Sequence, residues 1–330
     1  MKALTGLVDP TLFTAAAIDA ITAAAVDQIE ATLKTTPTIM EVGVDVARAV
    51  RLSGQSFLGP IVHVPHAETV EIPGPAGAIP LRVIRAENPR GIYLHMHGGG
   101  WCLGAHDQQD ELLDGIVKAT GLTVVSVGYR LTPEHPHPAA PDDCEAAARW
   151  LITNAEKVFG APVHAIGGES AGAHLSAVTL VRLRDRHGLT PFKVANLCYG
   201  GYDLNPTPSV RNWGNRYLIL STPIVAHYVD WFAPQGIDHA DPDVSPLNAD
   251  LSGLPPALFT IGTLDPLMDD SLFMAARWNA AGNVAELAVY PGGVHAFNAI
   301  GEYPIPLAKA ANDRIAAFIN ATLAEQGCFA

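Results

Sequence analysis

Positive charge is scarce in this sequence: 20 Lys and Arg stand against 33 Asp and Glu, a formal net charge of −13. Such a surface repels a polyphosphate, and no basic run or finger-type Cys/His spacing offsets it, so no nucleic-acid partner is expected. Cysteine is scarce as well. Cys102, Cys144, Cys198 and Cys328 lie far apart, without CxxC or metal-ligand spacing. Neither a disulfide framework nor a metal site is therefore expected, and reduced thiols in a cytoplasm are the simpler expectation. No uncharged apolar run approaches the ~18 residues of a membrane span, which excludes a spanning helix. The N-terminus carries Lys2 and an Ala-rich stretch, but Asp9, Asp19 and Asp27 interrupt it, so it does not read as a signal peptide. Internal repeats and low-complexity tracts are also missing.

What is present suits a globular enzyme with many turns: 48% apolar and 16% charged residues, with 26 prolines and 30 glycines. A chain of 330 residues buries a large core without staples, and one α/β domain with insertions accommodates it.

Patterning divides the chain. Ile18, Ile21, Ala25, Ile29 and Leu33 recur at helical steps until Pro37, and a second helical stretch carries Val42, Val46, Ala49 and Val50. Residues 54–65 read as loop. The stretches 69–72 and 79–84 read as a hairpin around Pro73-Gly74-Pro75-Ala76-Gly77. Buried-type strands are expected at 92–96, 124–127, 163–166, 194–199, 257–261 and 285–290. Helices are expected near 108–119, 142–158, 170–186 and 267–281, with a final amphipathic one at 305–325. This alternation predicts a mostly parallel sheet covered on both faces. Between Asp203 and Pro255 the rhythm lapses into prolines and an aromatic-rich helix near 223–232, which reads as an insertion.

The strongest chemical signal is Gly168-Glu169-Ser170-Ala171-Gly172, with a strand directly before it and a helix after. That context is what a nucleophile elbow demands, because a sharp turn exposes the serine hydroxyl and small neighbours let the backbone fold tightly. A second is His97-Gly98-Gly99-Gly100-Trp101 at the end of another strand. Consecutive glycines let amides face a ligand, the chemistry of an oxyanion hole, in which each donor removed costs roughly 2.7–4 kcal/mol. The amide of Ala171 would add a further donor. A serine needs a base, and the base an orienting carboxylate. Asp265 follows the strand at 257–261 and His295 the strand at 285–290, both at carboxyl ends, where such sheets place their ligands. Asp265 is otherwise a candidate helix N-cap, and Asp269 and Asp270 candidate helix-start charges.

With these residues assembled, the sequence resembles the hormone-sensitive-lipase-like family of α/β-hydrolases, in its bacterial esterase branch. The likeness spans most of the chain from about residue 68. It rests on the His97–Trp101 stretch, on Tyr129-Arg130-Leu131 and the run through Asp143, on the Ser170 elbow, on Asp265-Pro266-Leu267 and on His295-Ala296-Phe297. Two departures stand out: Glu169, where the commoner subgroup has Asp, and Gly128, where the family often has Asp.

The resemblance implies an eight-stranded sheet flanked by helices, with a helical cap from residues 1 to about 55 and about 205–240 over a core of about 68–204 and 241–330. It implies a Ser170–Asp265–His295 triad, with Gly98, Gly99, Gly100 and Ala171 as the oxyanion hole. It also implies hydrolysis of short-chain esters by a covalent acyl-enzyme, with water as co-substrate and no metal or organic cofactor. Trp101, Glu169, Trp213, Tyr217 and Trp231 are candidate substrate contacts, and dimerisation is expected by analogy only. An amidase or lactonase uses the same machinery. A non-catalytic binding protein on this fold lacks the triad histidine. A dehalogenase or epoxide hydrolase favours Asp where Ser170 stands.

Overall fold

The computed structural model describes residues 8–56, 58–300 and 307–328. Lys2 and the first two residues of the expected last helix lie outside them. All eight expected strands form: β1 (Ala67–Gly74), β2 (Gly77–Ile84), β3 (Ile92–Met96), β4 (Thr123–Val127), β5 (Val163–Glu169), β6 (Val194–Cys198), β7 (Ala257–Leu264) and β8 (Ala285–Val294). They make one sheet in the order β1-β2-β4-β3-β5-β6-β7-β8. The hairpin closes on Gly74 opposite Gly77, and β2 runs antiparallel to β4. From β4 to β8 every pairing is parallel.

Among the described residues ten α-helices accompany the sheet: α1 (Ala20–Leu33), α2 (Ile39–Val42), α3 (Val44–Leu52), α4 (Asp110–Thr120), α5 (Ala139–Phe159), α6 (Ala171–His187), α7 (Pro208–Trp213), α8 (Thr222–Phe232), α9 (Met268–Ala280) and α10 (Leu307–Glu325). Strand residues alternate between two cores, as a sheet buried on both faces requires. Ile92, Leu94 and Met96 meet α5, α6 and α9 through Leu151, Leu175 and Trp278. Tyr93 and Val124 face α1, α4 and α10 through Ile29, Leu113 and Phe318. The end of α6 shows why the sequence stops there. Gly188 takes the left-handed φ of 65° and donates to the Arg184 carbonyl, and the Leu189 amide bonds the Leu183 carbonyl.

Several boundaries differ from expectation. The stretch Pro291-Gly292-Gly293 stays in β8, because Leu264 pairs with Val294 beyond an irregularity at Gly262. The second helical stretch is split at Gly43 into α2 and α3. In α1 the buried stripe is Thr22, Val26, Ile29 and Leu33, while Ile21 is 70% exposed. Asp19 sets this register by capping α1, its carboxylate accepting from the Ile21 and Thr22 amides. Gly128 is explained by crowding: a Cβ there would lie 2.7 Å from the Pro80 ring and 2.9 Å from His106.

α3 is tied to the sheet by Arg48. Its guanidinium donates to the carbonyls of Cys102 (2.9 Å) and Thr132 (2.8 Å) and grips Glu134 with both terminal nitrogens. The four cysteines are free thiols. Among the described residues no helix is long and apolar enough to cross a membrane.

Candidate active site

Ser170 sits between β5 and α6 with φ 55° and ψ −119°, a conformation that costs a non-glycine residue strain and marks functional turns. Its amide is fixed by the Cys198 carbonyl of β6 at 2.9 Å. The flanking glycines are a steric demand, because a Cβ on Gly172 would come within 1.9 Å of the Met96 carbonyl oxygen. The elbow thus crosses the end of β3, where the glycine loop begins.

The candidate base and acid meet the serine as strand ends bring them together. His295 Nε2 lies 2.9 Å from Ser170 Oγ, and His295 Nδ1 lies 2.8 Å from Asp265 Oδ2. A carboxylate only accepts, so Nδ1 carries the proton, and Nε2 is left to accept from the serine hydroxyl. Both partners are buried, Asp265 at 2% exposure and His295 at 4%. Asp265 is also used locally, its Oδ1 accepting the Leu267 amide at 2.9 Å in the turn before α9, whose N-cap is Leu267 and not Asp265.

The glycine loop lies beside them. Among the described residues the amides of Gly98, Gly99 and Gly100 donate to no protein group, and Ala171 opens α6, where helical amides lack partners. The Tyr129 side chain braces this loop. Its hydroxyl donates to the His97 carbonyl (2.7 Å), and its ring stacks on the imidazole at 4.2 Å. Burial pushes His97 down to about 3, so it stays neutral and donates from Nδ1 to the Gly98 carbonyl at 2.8 Å. Arg130 turns away to Asp143, bonding it through Nε and Nη2 at 2.8 and 2.9 Å. Of the Tyr-Arg-Leu stretch, Tyr129 therefore supports the glycine loop.

Two cavities meet at Ser170. The larger, about 1050 Å³, is lined by His295, the glycine loop, Glu169, Tyr199 and Tyr217, and by Ile39, Val42, Val46 and Val50 of α2 and α3. The smaller, about 210 Å³, lies on the Ala171 side and is walled by Trp101, Leu204, Val210, Val225, Tyr228 and Leu267.

Of the five candidate substrate contacts, three line a cavity and two do not. Trp101 is mostly buried between Phe232, on which it stacks at 4.5 Å, and His174, to which its Nε1 donates at 3.2 Å. Burial holds His174 down to about 4, and its Nε2 bonds the Val244 carbonyl. Glu169 faces the large cavity and accepts from His95 Nε2 (2.9 Å) and Gln109 Nε2 (3.1 Å). Trp213 is spent elsewhere, its Nε1 donating to the Arg216 carbonyl at 2.8 Å beneath that guanidinium. Trp231 packs on His227, its neighbour one helical turn back in α8, with ring centroids 4.2 Å apart.

The sequence reading missed Tyr199, Tyr228 and Asp270. Tyr199 follows β6, so the rule that drew attention to Asp265 and His295 applies to it equally. Tyr228 shares a helical face of α8 with Ile224 and Val225, a spacing visible in the sequence. Asp270 is more than a helix-start charge: its carboxylate accepts from the Tyr202 and Asp203 amides and the Thr207 hydroxyl. Asp269 likewise holds the Ser209 amide.

An eight-stranded sheet with Ser, Asp and His at the ends of its fifth, seventh and eighth strands defines a hydrolase of the α/β type. Comparison with known proteins agrees. A family model described as alpha/beta hydrolase fold matches residues 93–299. Carboxylic ester hydrolase LipN of Mycobacterium tuberculosis is 38% identical over 253 residues, covering 74% of this chain and 67% of that one. An ethyl acetate hydrolase of Pseudomonas putida is 34% identical over 215 residues, 63% of this chain and 66% of that one. The solved hyperthermophilic esterase of Pyrobaculum calidifontis superposes with a TM-score of 0.78 at 33% identity, covering 89% and 96% of the two chains. The chain belongs to the α/β-hydrolase fold family, in its hormone-sensitive-lipase-like branch.

Proposed function

We propose that the chain is a carboxylic ester hydrolase that cleaves short-chain acyl esters through an acyl-enzyme on Ser170. The observation that carries this reading is the unbroken hydrogen-bonded line from Asp265 through His295 to Ser170 at the floor of two cavities. His295 takes the serine proton as Oγ attacks the ester carbonyl, and Asp265 holds the imidazole in the required tautomer. The amides of Gly98, Gly99 and Ala171, with Gly100 behind them, receive the developing oxyanion. His295 then protonates the leaving alcohol, and water repeats the sequence to release the acid.

The same geometry supports a division of the substrate. The leaving oxygen must lie near His295, which lines the large cavity and not the small one, so the alcohol belongs in the large cavity. The acyl group then enters the smaller space, whose size of about 210 Å³ and largely apolar wall favour a short chain. Ethyl acetate, for which one relative is named, has a two-carbon acyl group, in keeping with this. α2 and α3 wall the large cavity, α7 the small one and α8 both, which supports residues 1 to about 55 and about 205–240 as a cap over the rest of one domain.

Ser170→Ala is the direct test. It is expected to cut hydrolysis of p-nitrophenyl acetate by several orders of magnitude while the circular dichroism spectrum stays unchanged. Undiminished turnover would refute the nucleophile. A p-nitrophenyl ester series is expected to peak at short acyl chains, and a preference for long ones would refute the acyl-pocket assignment.

A further inference from the structure

We propose that Tyr199 is a positioning residue for the general base, its ring and its hydroxyl together fixing the plane of the His295 imidazole. This rests on the triad assigned above. Tyr199 takes φ 37°, a left-handed backbone conformation that a bulky aromatic residue adopts only when its surroundings impose it. The surroundings here are β5 and β7, the strands that lead into Ser170 and Asp265. The Tyr199 amide donates to the Thr260 carbonyl of β7 at 2.7 Å, and the carbonyl of Cys198, one residue earlier, holds the Ser170 amide. The end of β6 is thus bolted to the nucleophile on one side and to the strand of the acid on the other.

From that point the fully buried side chain reaches the base twice. Its ring lies 5.0 Å from the His295 imidazole, centroid to centroid, in a near edge-to-face arrangement of 66°. Its hydroxyl donates to Asn298 Oδ1 at 2.5 Å, three residues beyond the base in the same turn. Asn298 in turn donates from Nδ2 to Asn312 Oδ1 (2.9 Å) and accepts at its carbonyl from Asn312 Nδ2 (3.2 Å), which anchors the turn to α10. The physical need is specific. The bond to Asp265 fixes one ring atom and leaves the imidazole free to rock about that contact, moving Nε2 off the serine. A ring against its side and a clamp on its turn remove that freedom. In both halves of the reaction His295 becomes positively charged and then neutral again, so the constraint must hold through each proton transfer.

The test uses Tyr199→Phe, which keeps the ring and loses the bond to Asn298, and Tyr199→Leu, which loses both. Each enzyme is titrated for active sites with a fluorophosphonate, and kcat and KM for p-nitrophenyl acetate are then followed over pH. Per titrated site, Y199L is expected to lose kcat by roughly 10- to 100-fold with KM changed by less than about twofold, and Y199F by less. The acid limb of kcat/KM, which reports protonation of the base, is expected to move in Y199L. Wild-type kcat per site and an unmoved acid limb in both variants would overturn the proposal. So would a loss confined to the number of titratable sites, because that is what simple packing predicts. Y199F is near-isosteric, so it decides the matter if Y199L fails to fold. His295→Ala is run beside them: retained activity there would overthrow the triad itself, an outcome distinct from any failure of Tyr199.

Discussion

Asp270 should make this protein less stable as pH rises, and its removal should show it. The carboxyl group is 1% exposed, and burial pushes its pKa from 3.8 up to about 7 despite three hydrogen bonds that favour the ion. The neighbouring charge of Asp203 pushes in the same direction as burial. Between these two pH values the folded protein holds a proton that the unfolded chain has released. Stability contributed by this group is therefore complete below about pH 4 and is lost as pH climbs through 7. From pH 5 to pH 8 the loss spans about two pH units, or roughly 3 kcal/mol. Asp270→Asn should erase that slope at small structural cost. The amides of Tyr202 and Asp203 both bond Oδ1, which an amide side chain retains, and the Thr207 hydroxyl at Oδ2 can turn to accept from the new NH₂. The assay is the melting temperature of wild type and D270N from pH 5 to pH 8. The variant should gain on the wild type by several degrees toward the alkaline end. A difference that is flat with pH, or that favours the wild type at pH 8, would refute the reasoning.

Two further outcomes follow from close contacts. Gly172→Ala drives a methyl group into the Met96 carbonyl and should cost about 3 kcal/mol in chemical denaturation, with turnover lost alongside. Wild-type stability would show that the elbow can relax. Glu169→Ala leaves His95, 0% exposed, without the acceptor at its Nε2 and should cost about 1–3 kcal/mol, whereas Glu169→Gln still accepts from His95 and should cost less. Equal denaturation midpoints for the two variants would remove this hydrogen bond as the cause.

Most of the architecture was legible because it is written locally. Strand and helix alternate in period, and the reactive residues sit where strands end, so Ser170, Asp265 and His295 can be placed by counting strands. The glycines of the elbow and loop answer steric demands that the pattern itself implies. The unread part depends on segments far apart in the chain. Nothing near Asp270 announces that it holds residues 202–207, and the apolar stripe of α1 is displaced from Ile21 by a cap at Asp19 that periodicity alone does not weigh. Two of the aromatic candidates line no cavity for a related reason. Trp213 and Trp231 satisfy themselves with close sequence neighbours, while the less conspicuous Tyr228 faces the cavities.

The wall that α2 and α3 lend to the large cavity comes from residues that precede the family match at 93–299. With the alcohol seated as proposed, these two helices act on alcohol scope from outside the matched region, beside Tyr217, Ile224 and Tyr228 from within it. Exchanging α2 and α3 for another sequence is expected to alter which alcohols are accepted, and neither helix supplies Ser170, Asp265 or His295. The seam such a graft must respect includes the Arg48 plug into the carbonyls of Cys102 and Thr132 and the carboxylate of Glu134, and a transplanted segment has to bring a guanidinium to that socket. α1 has to stay, because its Val26, Ile29 and Leu33 are buried in one core with Val294 and Phe297.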